Sequence, residues 1–377
     1  MATMREMKII RGCQKPPQNY YHSIATFGSF DGVHLGHQAI IKEVIRQARL
    51  TGKPSLVVTF EPHPQEIISP QKAPKLLTTL EEKQEILSNL GIDLLLFLPF
   101  DRKLSQTSPS VFVKDIFIEY LRVKEIVCGS ECGFGRDRKG NLSVLKKLGE
   151  KFGFSVDAAP PALVNGAKVS STRIRQAIIK GNIKLANRML GRPYSLSGRV
   201  IKGEGIGKKL GYPTANISLN SPKKLVPPDG VYAVKVGLKN QSKKQKAKSK
   251  KIHSGMMYIG HKPTYYPNAK CKMQNAKFLE IHIFDFEGNL LGKELKIFFI
   301  DRLREEKRFK DENALVRQIK KDEEKAKRLL SYKEMFTPTC PGILSGQVGI
   351  KRNENPPQSP FFKGGGRGDL KSEIINA

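Results

Sequence analysis

The sequence predicts an α/β domain built on a parallel sheet, followed by a small antiparallel β-barrel and a disordered C-terminal tail. Three observations carry that expectation. The chain has 377 residues, more than a single core usually serves. Its first half alternates short, near-continuously apolar runs with helical patterns, which is how strands buried on both faces of a parallel sheet read. Near residues 191–193 the pattern changes to short strands with turn residues and few helices, as in a small barrel. The expected boundaries are 18–188, 191–334 and, for the tail, 335–377.

In the first half the expected strands are 23–27, 55–60, 93–98, 125–128 and 154–158. Helical patterns fill the gaps at 37–50, 80–89, 109–121, 142–152 and 171–190. Ligands in such sheets collect at the carboxyl ends of the strands, where Gly28, Glu61 and Gly129 fall. In the second half the expected strands are 194–201, 230–236, 255–259, 278–286 and 294–300, closed by a polar helix over 312–332. From Phe336 onward Pro, Gly and polar residues dominate, with PPQSP and GGG runs, and no packed core is expected. The tripeptide Arg367-Gly368-Asp369 in that tail is adhesion-like but too short to carry a function alone.

Composition excludes several classes. Apolar residues make up 39% of the chain, as in a globular protein. No run approaches the ~20 apolar residues of a membrane span, and the first residues lack the apolar stretch of a secretory signal. Five dispersed cysteines, an odd number, fit reduced thiols in a cytoplasm better than a disulfide framework. The formal charge of +31 calls for a polyanionic partner, either nucleic acid or a small polyphosphate. Residues 239–251 concentrate seven lysines and no acid, a pattern of solvated loops. No nucleic-acid-binding module accompanies the charge, so nucleic acid is not the expected partner. The oligomeric state is not legible.

The densest signal is Gly28-Ser29-Phe30-Asp31-Gly32-Val33-His34-Leu35-Gly36-His37. A strand ends at Phe27, Gly28 and Gly32 allow a tight turn against a ligand, and a helix starts near Gly36, where unpaired N–H groups favour an anion. His34 and His37, three apart, can face one phosphate and donate hydrogen bonds to it. A bare H-x-x-H is also compatible with two structural histidines, while a metal pair lacks a third ligand at typical spacing. Farther on, Ser170-Ser171-Thr172 before a helix offers hydroxyls and amides, and Arg175 can neutralise departing charge.

The second constellation lies past the boundary. Gly203, Gly205, Gly207 and Gly211 permit backbone amides to wrap a polyphosphate, with Lys208 among them. Pro213 fixes the backbone, and Thr214 and Asn216 offer uncharged oxygens for Mg²⁺. Glu280 is a lone carboxylate in a strand, a position that by itself more often belongs to a solvated surface residue.

The first string resembles the H-x-G-H nucleotidyltransferases and, more narrowly, the FMN adenylyltransferase module of bacterial bifunctional riboflavin kinase/FAD synthetases. Phe60-Glu61-Pro62-His63-Pro64 resembles that family's flavin-side segment, and 170–175 its S-S-T-x-I-R signature. Gly211-Tyr212-Pro213-Thr214-Ala215-Asn216 resembles the G-x-P-T-A-N signature of the riboflavin kinase module. In the same order, residues 259–264 resemble its I-G-x-x-P-T turn, 278–283 its v-E-x-H strand, and 301–304 its ending. The resemblance implies a Rossmann-like nucleotidyltransferase domain and a barrel kinase domain. It implies ATP and riboflavin or FMN as substrates, FAD as product and Mg²⁺ as cofactor. It makes Glu280 the catalytic base and places Phe60, Pro62, His63, Pro64 and Arg304 on the flavin side. Two departures stand out: Lys208 replaces a usual arginine, and Gly129-Ser130-Glu131-Cys132-Gly133-Phe134-Gly135 replaces G-x-D/N-F-x-F-G. Glu131 is therefore carried as a candidate adenosine or phosphate contact. A chain active only as a kinase is one rival reading, and a polyanion-binding protein using its lysine-rich loop is the other.

Overall fold

The computed structural model describes residues 6–12, 14–203, 205–239, 252–260 and 277–331. The lysine-rich stretch at 240–251, the 261–264 turn, the tail and the side chain of Lys208 lie outside the described residues.

Six parallel strands form the first sheet: β1 (Lys8–Arg11), β2 (Ile24–Phe27), β3 (Ser55–Glu61), β4 (Leu94–Pro99), β5 (Glu125–Gly129) and β6 (Ser155–Ala159). Their order is β1-β4-β3-β2-β5-β6. β3 and β4 are buried along nearly their whole length because helices cover both faces, which is why their sequences run apolar without alternation. Leu56, Val58, Leu94 and Leu96 face one cluster with Phe112 and Phe117; Val57, Leu95 and Phe97 face another with Ile41 and Leu87. A two-stranded hairpin, β7 (Leu163–Val164) and β8 (Ala167–Lys168), follows.

The expected helix at 171–190 is two helices, Ser171–Ile179 and Ile183–Leu190. Gly181, at φ 73°, breaks it, and Asn182 caps the second piece by accepting from the Leu185 N–H. The helix expected at 109–121 begins as Pro109–Phe112 and widens to a π-helix over Val113–Tyr120. β1 had no expectation: only Ile10 of its four residues is buried, so it has no apolar pattern to read.

The second half is a closed barrel of β9 (Tyr194–Ile201), β10 (Ala215–Leu219), β11 (Gly230–Lys239), β12 (Ile252–Gly260), β13 (Phe278–Ile283) and β14 (Glu294–Glu305). The order around the barrel is β10-β13-β12-β11-β14-β9. β10 had no expectation: its five residues, ANISL, begin inside the Gly211–Asn216 signature and are too few to show a pattern of their own. Alternation along β9 and β13 sends Tyr194, Leu196, Val200, Leu279, Ile281 and Ile283 inward, as period-2 side-chain placement requires. That core continues into Ile174, Ile178, Ile183, Ala186 and Leu190 of the paired helices. The helix Glu312–Ser331 closes the far side, with Ala326 and Leu330 on Val231, Ala233 and Met256.

Candidate active site

β2 is where the strand order reverses: β3 lies on one side of it and β5 on the other. A crevice opens outside the carboxyl ends of strands at such a point. The chain turns there through Phe30 (φ 44°), Gly32 (φ 84°) and Val33 (φ 37°). A Cβ on Gly32 would stand 2.9 Å from Leu77 Cδ1, so the turn and the close approach both require glycine. His34 then caps the helix Leu35–Thr51, its Nδ1 accepting from the His37 N–H at 3.3 Å. That bond assigns the ring proton to Nε2. The two imidazoles stack with centroids 3.6 Å apart and planes at 19°, and the Phe30 ring meets His37 edge-on at 5.2 Å.

Burial, then the Arg192 guanidinium, lowers the His34 pKa to about 4. Burial, then its stacked neighbour, lowers His37 well below the usual range. Both rings are therefore neutral at neutral pH. A neutral imidazole with its proton on Nε2 donates to a phosphoryl oxygen without first shedding a proton.

Asp31 serves the turn itself. Its buried carboxylate accepts from the Leu77 and Thr78 N–H groups, each at 3.0 Å, and pairs with Arg175. Arg175 also donates from Nε to the Lys75 carbonyl at 2.9 Å. Ser170 caps the helix Ser171–Ile179, accepting from the Arg173 N–H at 3.2 Å. Ser171 donates to the Asp31 carbonyl at 2.9 Å, while Thr172 is exposed. The structure thus joins 28–37 and 170–175 into one wall.

At the end of β3, Phe60 packs edge-on against Phe100 at 5.5 Å. The Glu61–Pro62 bond is cis, Pro64 opens the short helix Pro64–Ile68, and His63 caps it by accepting from the Gln65 N–H. Burial lowers the His63 pKa and raises that of Glu61. Two residues here had not been singled out. Lys83 is buried and donates to the Ser29 carbonyl at 2.7 Å; burial lowers its pKa. Its signal was a lysine on the apolar stripe between Leu80 and Leu87. Arg192 reaches back from the second half to donate to the Gly32 carbonyl at 2.6 Å and the Val33 carbonyl at 3.1 Å. Burial lowers its pKa to about 10; nothing in the local sequence marked it.

Across the crevice, the 129–135 loop leaves β5. Phe134 meets Phe27 edge-on at 5.5 Å. Glu131, largely exposed, pairs with Lys168 at 2.6 Å, so its charge is already matched two residues before the Ser170 cap.

In the barrel, Asn216 on β10 lies opposite Glu280 on β13, which lies opposite Tyr258 on β12. Opposed residues of antiparallel strands bring their Cβ atoms to about 5 Å, so the proposed base and Asn216 share one spot. His282, two residues along β13 on the same face, contacts the Pro213 carbonyl through Nδ1 at 2.8 Å and thus holds the Gly211–Asn216 signature in place. The glycine loop folds onto that signature. A Cβ on Gly203 would overlap Asn216 Nδ2 at 1.8 Å, and one on Gly207 would stand 2.4 Å from the Tyr212 carbonyl and 2.8 Å from Thr214 Oγ1. Gly205 and Gly211 take φ 72° and 81°. Arg304 is engaged elsewhere: its Nε donates to Asp322 of the closing helix at 2.8 Å.

The FAD synthetase family matches residues 17–173 and the riboflavin kinase family residues 190–330. A bifunctional riboflavin kinase/FMN adenylyltransferase of Buchnera aphidicola (from Schizaphis graminum) is 38% identical over 323 residues, covering 85% of this chain and 98% of that one. This chain belongs to the bifunctional riboflavin kinase/FMN adenylyltransferase family. The family's Escherichia coli K12 member is 35% identical, over 89% of this chain and all of its own length. A solved structure described as a macrolide-efflux protein from Streptococcus pneumoniae shares the fold, with TM-score 0.73 and 29% identity over 85% of this chain and 98% of its own. No helix among the described residues is long and apolar enough to cross a membrane.

Proposed function

We propose that this chain makes flavin cofactors in two steps, phosphorylating riboflavin with ATP in the barrel and adenylylating FMN in the crevice of the parallel sheet. The products are ADP and FMN, then pyrophosphate and FAD. The observation that carries the reading is the pairing, in one chain of this family, of stacked neutral His34 and His37 at a switch-point crevice with Glu280 opposite Asn216 in a barrel.

The two sites suit different nucleophiles. An FMN phosphate is already an anion, so the crevice needs no base; it must bring two anions together and offset their charge. His34 and His37 donate to the reacting phosphate, the 170–172 amides and hydroxyls hold the nucleotide, and Lys83 and Arg192 supply fixed positive charge beneath the turn. Asp31 holds Arg175 at the rim. The 5′-hydroxyl of riboflavin is a poor nucleophile, and Glu280 accepts its proton as it attacks.

Thr214 and Asn216 fit Mg²⁺. They present uncharged hard oxygens, and glycines lie against them at 203 and 207, where a Cβ would meet the Asn216 amide and Thr214 Oγ1. Few protein ligands plus substrate phosphates is the usual magnesium arrangement. Bound there, the ion would neutralise charge on the transferred phosphoryl group. A cytoplasmic setting agrees with ATP as substrate.

The test is to incubate purified protein with riboflavin, ATP and Mg²⁺ and to resolve flavins by chromatography. FMN followed by FAD is expected, with both lost on adding EDTA. FMN without FAD would select the kinase-only reading, and neither product would overturn the proposal.

A further inference from the structure

Two thiols that neither reaction uses face each other beside the crevice. Cys128, on β5, is buried, and its Sγ lies 3.4 Å from the Sγ of Cys132. Cys132 sits on the following turn, where its N–H donates to the Gly129 carbonyl at 3.0 Å, and its side chain remains partly accessible. A disulfide needs an S–S separation of ~2.05 Å, within reach of a small movement of the turn.

The two sulfurs differ in the way a reactive pair requires. Cys128 keeps its proton, which it donates to the Cys132 sulfur, and burial adds to this effect. Accepting that hydrogen bond lowers the Cys132 pKa more than burial raises it, and the Arg138 guanidinium lowers it further. The accessible member is therefore the better thiolate, and thiolate character with access decides which cysteine an oxidant meets.

We propose that Cys128 and Cys132 form a reversible disulfide that tightens the start of the 129–135 loop and slows adenylyl transfer while leaving riboflavin phosphorylation unchanged. The link to activity rests on the two-site reading above. The oxidant is hydrogen peroxide. The Cys132 sulfur attacks a peroxide oxygen, the O–O bond breaks, and water leaves behind a sulfenic acid. The Cys128 sulfur then attacks the Cys132 sulfur; the S–S bond forms, the S–O bond breaks, and the departing hydroxide takes the Cys128 proton as water. Two thiols lose two electrons and one peroxide becomes two waters; a dithiol reverses the bond by exchange. Ser130 and Glu131 lie inside the small ring so formed. Drawing Cys132 toward β5 therefore pulls Glu131 against its partner Lys168, next to the Ser170 cap, and shifts Phe134 against Phe27 at the start of the glycine turn. Glu280 and the 203–216 segment belong to the other half of the chain.

The full-length protein is reduced, desalted, treated with hydrogen peroxide, alkylated and mapped by mass spectrometry, with both reactions assayed in parallel. The expected result is a Cys128–Cys132 link lighter by two hydrogens, a fall of about fivefold or more in FAD formation from FMN, and a change below about twofold in riboflavin phosphorylation. Dithiothreitol should restore the lost activity, and the Cys132→Ser variant should resist peroxide. Peptide mapping on the unaltered chain decides the bond even if that variant folds poorly. Absence of the link, or a link with undiminished FAD formation, overturns the proposal. Reduced protein that makes neither FMN nor FAD would instead sink the two-step reading, while the mapping still reports on the disulfide.

Discussion

His34 and His37 lose their charge to their surroundings before any substrate arrives. His34 would titrate near pH 6.5 in the unfolded chain and does so at about 4 when folded. Between those values the unfolded chain binds a proton that the folded chain refuses, so falling pH favours unfolding. The contribution is complete above pH 6.5 and is lost progressively as pH falls toward 4. Urea unfolding at neutral pH and near pH 4.5 should show the parent losing on the order of 2 kcal/mol more than His34→Gln. Equal losses would mean that the imidazole is not held neutral. At the other site, Glu280→Gln keeps the shape of the side chain and removes the proton acceptor. Riboflavin phosphorylation should fall by about 10²-fold or more, with FMN-to-FAD conversion nearly intact. Phosphorylation at the parent rate would mean that another group is the base.

The helix Leu35–Thr51 shows how an element places a side chain it does not obviously contain. Its cap is His34, and the cap's ring packs closely over Gly36. In Gly36→Ala the new Cβ would press on His34 Cε1 at 3.2 Å and Nδ1 at 3.3 Å. Alanine is favoured over glycine in a helix by about 1 kcal/mol, so thermal stability should hold or rise. If His34 meets the reacting phosphate as proposed, FAD formation should drop about tenfold, since small displacements of such a group are costly, and FMN formation should not change. A parallel loss of melting temperature and of both activities would mean that the glycine matters for folding alone.

The two halves are locked together by charge as well as by the core. Lys224, from the segment joining β10 and β11, is buried against Glu82, the residue that completes the capping box of the helix Leu80–Leu90. It also donates to the Leu77 carbonyl at 2.7 Å, beside the N–H groups that hold Asp31. Lys224→Met leaves Glu82 buried without its partner and should lower stability by about 3–5 kcal/mol; adding Glu82→Gln should recover much of that in urea unfolding. Additive losses would show that the pair is not coupled. Deleting residues 240–251, by contrast, should leave both activities within about threefold at 0.1 M salt. Charges more than about 10 Å from a phosphate are screened there, and the flanking strands remain paired at Gly237 and Ile252. A tenfold loss of kcat/KM in either reaction would assign the lysines to a site.

Local chemistry was legible wherever one segment carries both its geometry and its reactive group. The apolar runs at 55–60 and 93–98 could only be covered strands. The glycine turn with His34 and His37, and the Gly211–Asn216 signature, could be picked out because turn, cap and side chains lie within a dozen residues. What the sequence left open depends on contacts between distant segments. Nothing near Asp31 says that Leu77, Thr78 and Arg175 will occupy its carboxylate, and nothing near Arg192 says that it will hold the Gly32 carbonyl. β1 and β10 exist because neighbouring strands offer hydrogen bonds, not because their few residues insist on extension. Cys128 and Cys132 were two scattered cysteines until the turn after β5 set their sulfurs face to face. Periodicity and motif spacing record what a segment does by itself; burial, ion pairing and proton affinity belong to the segments that surround it, and only the folded chain brings those together.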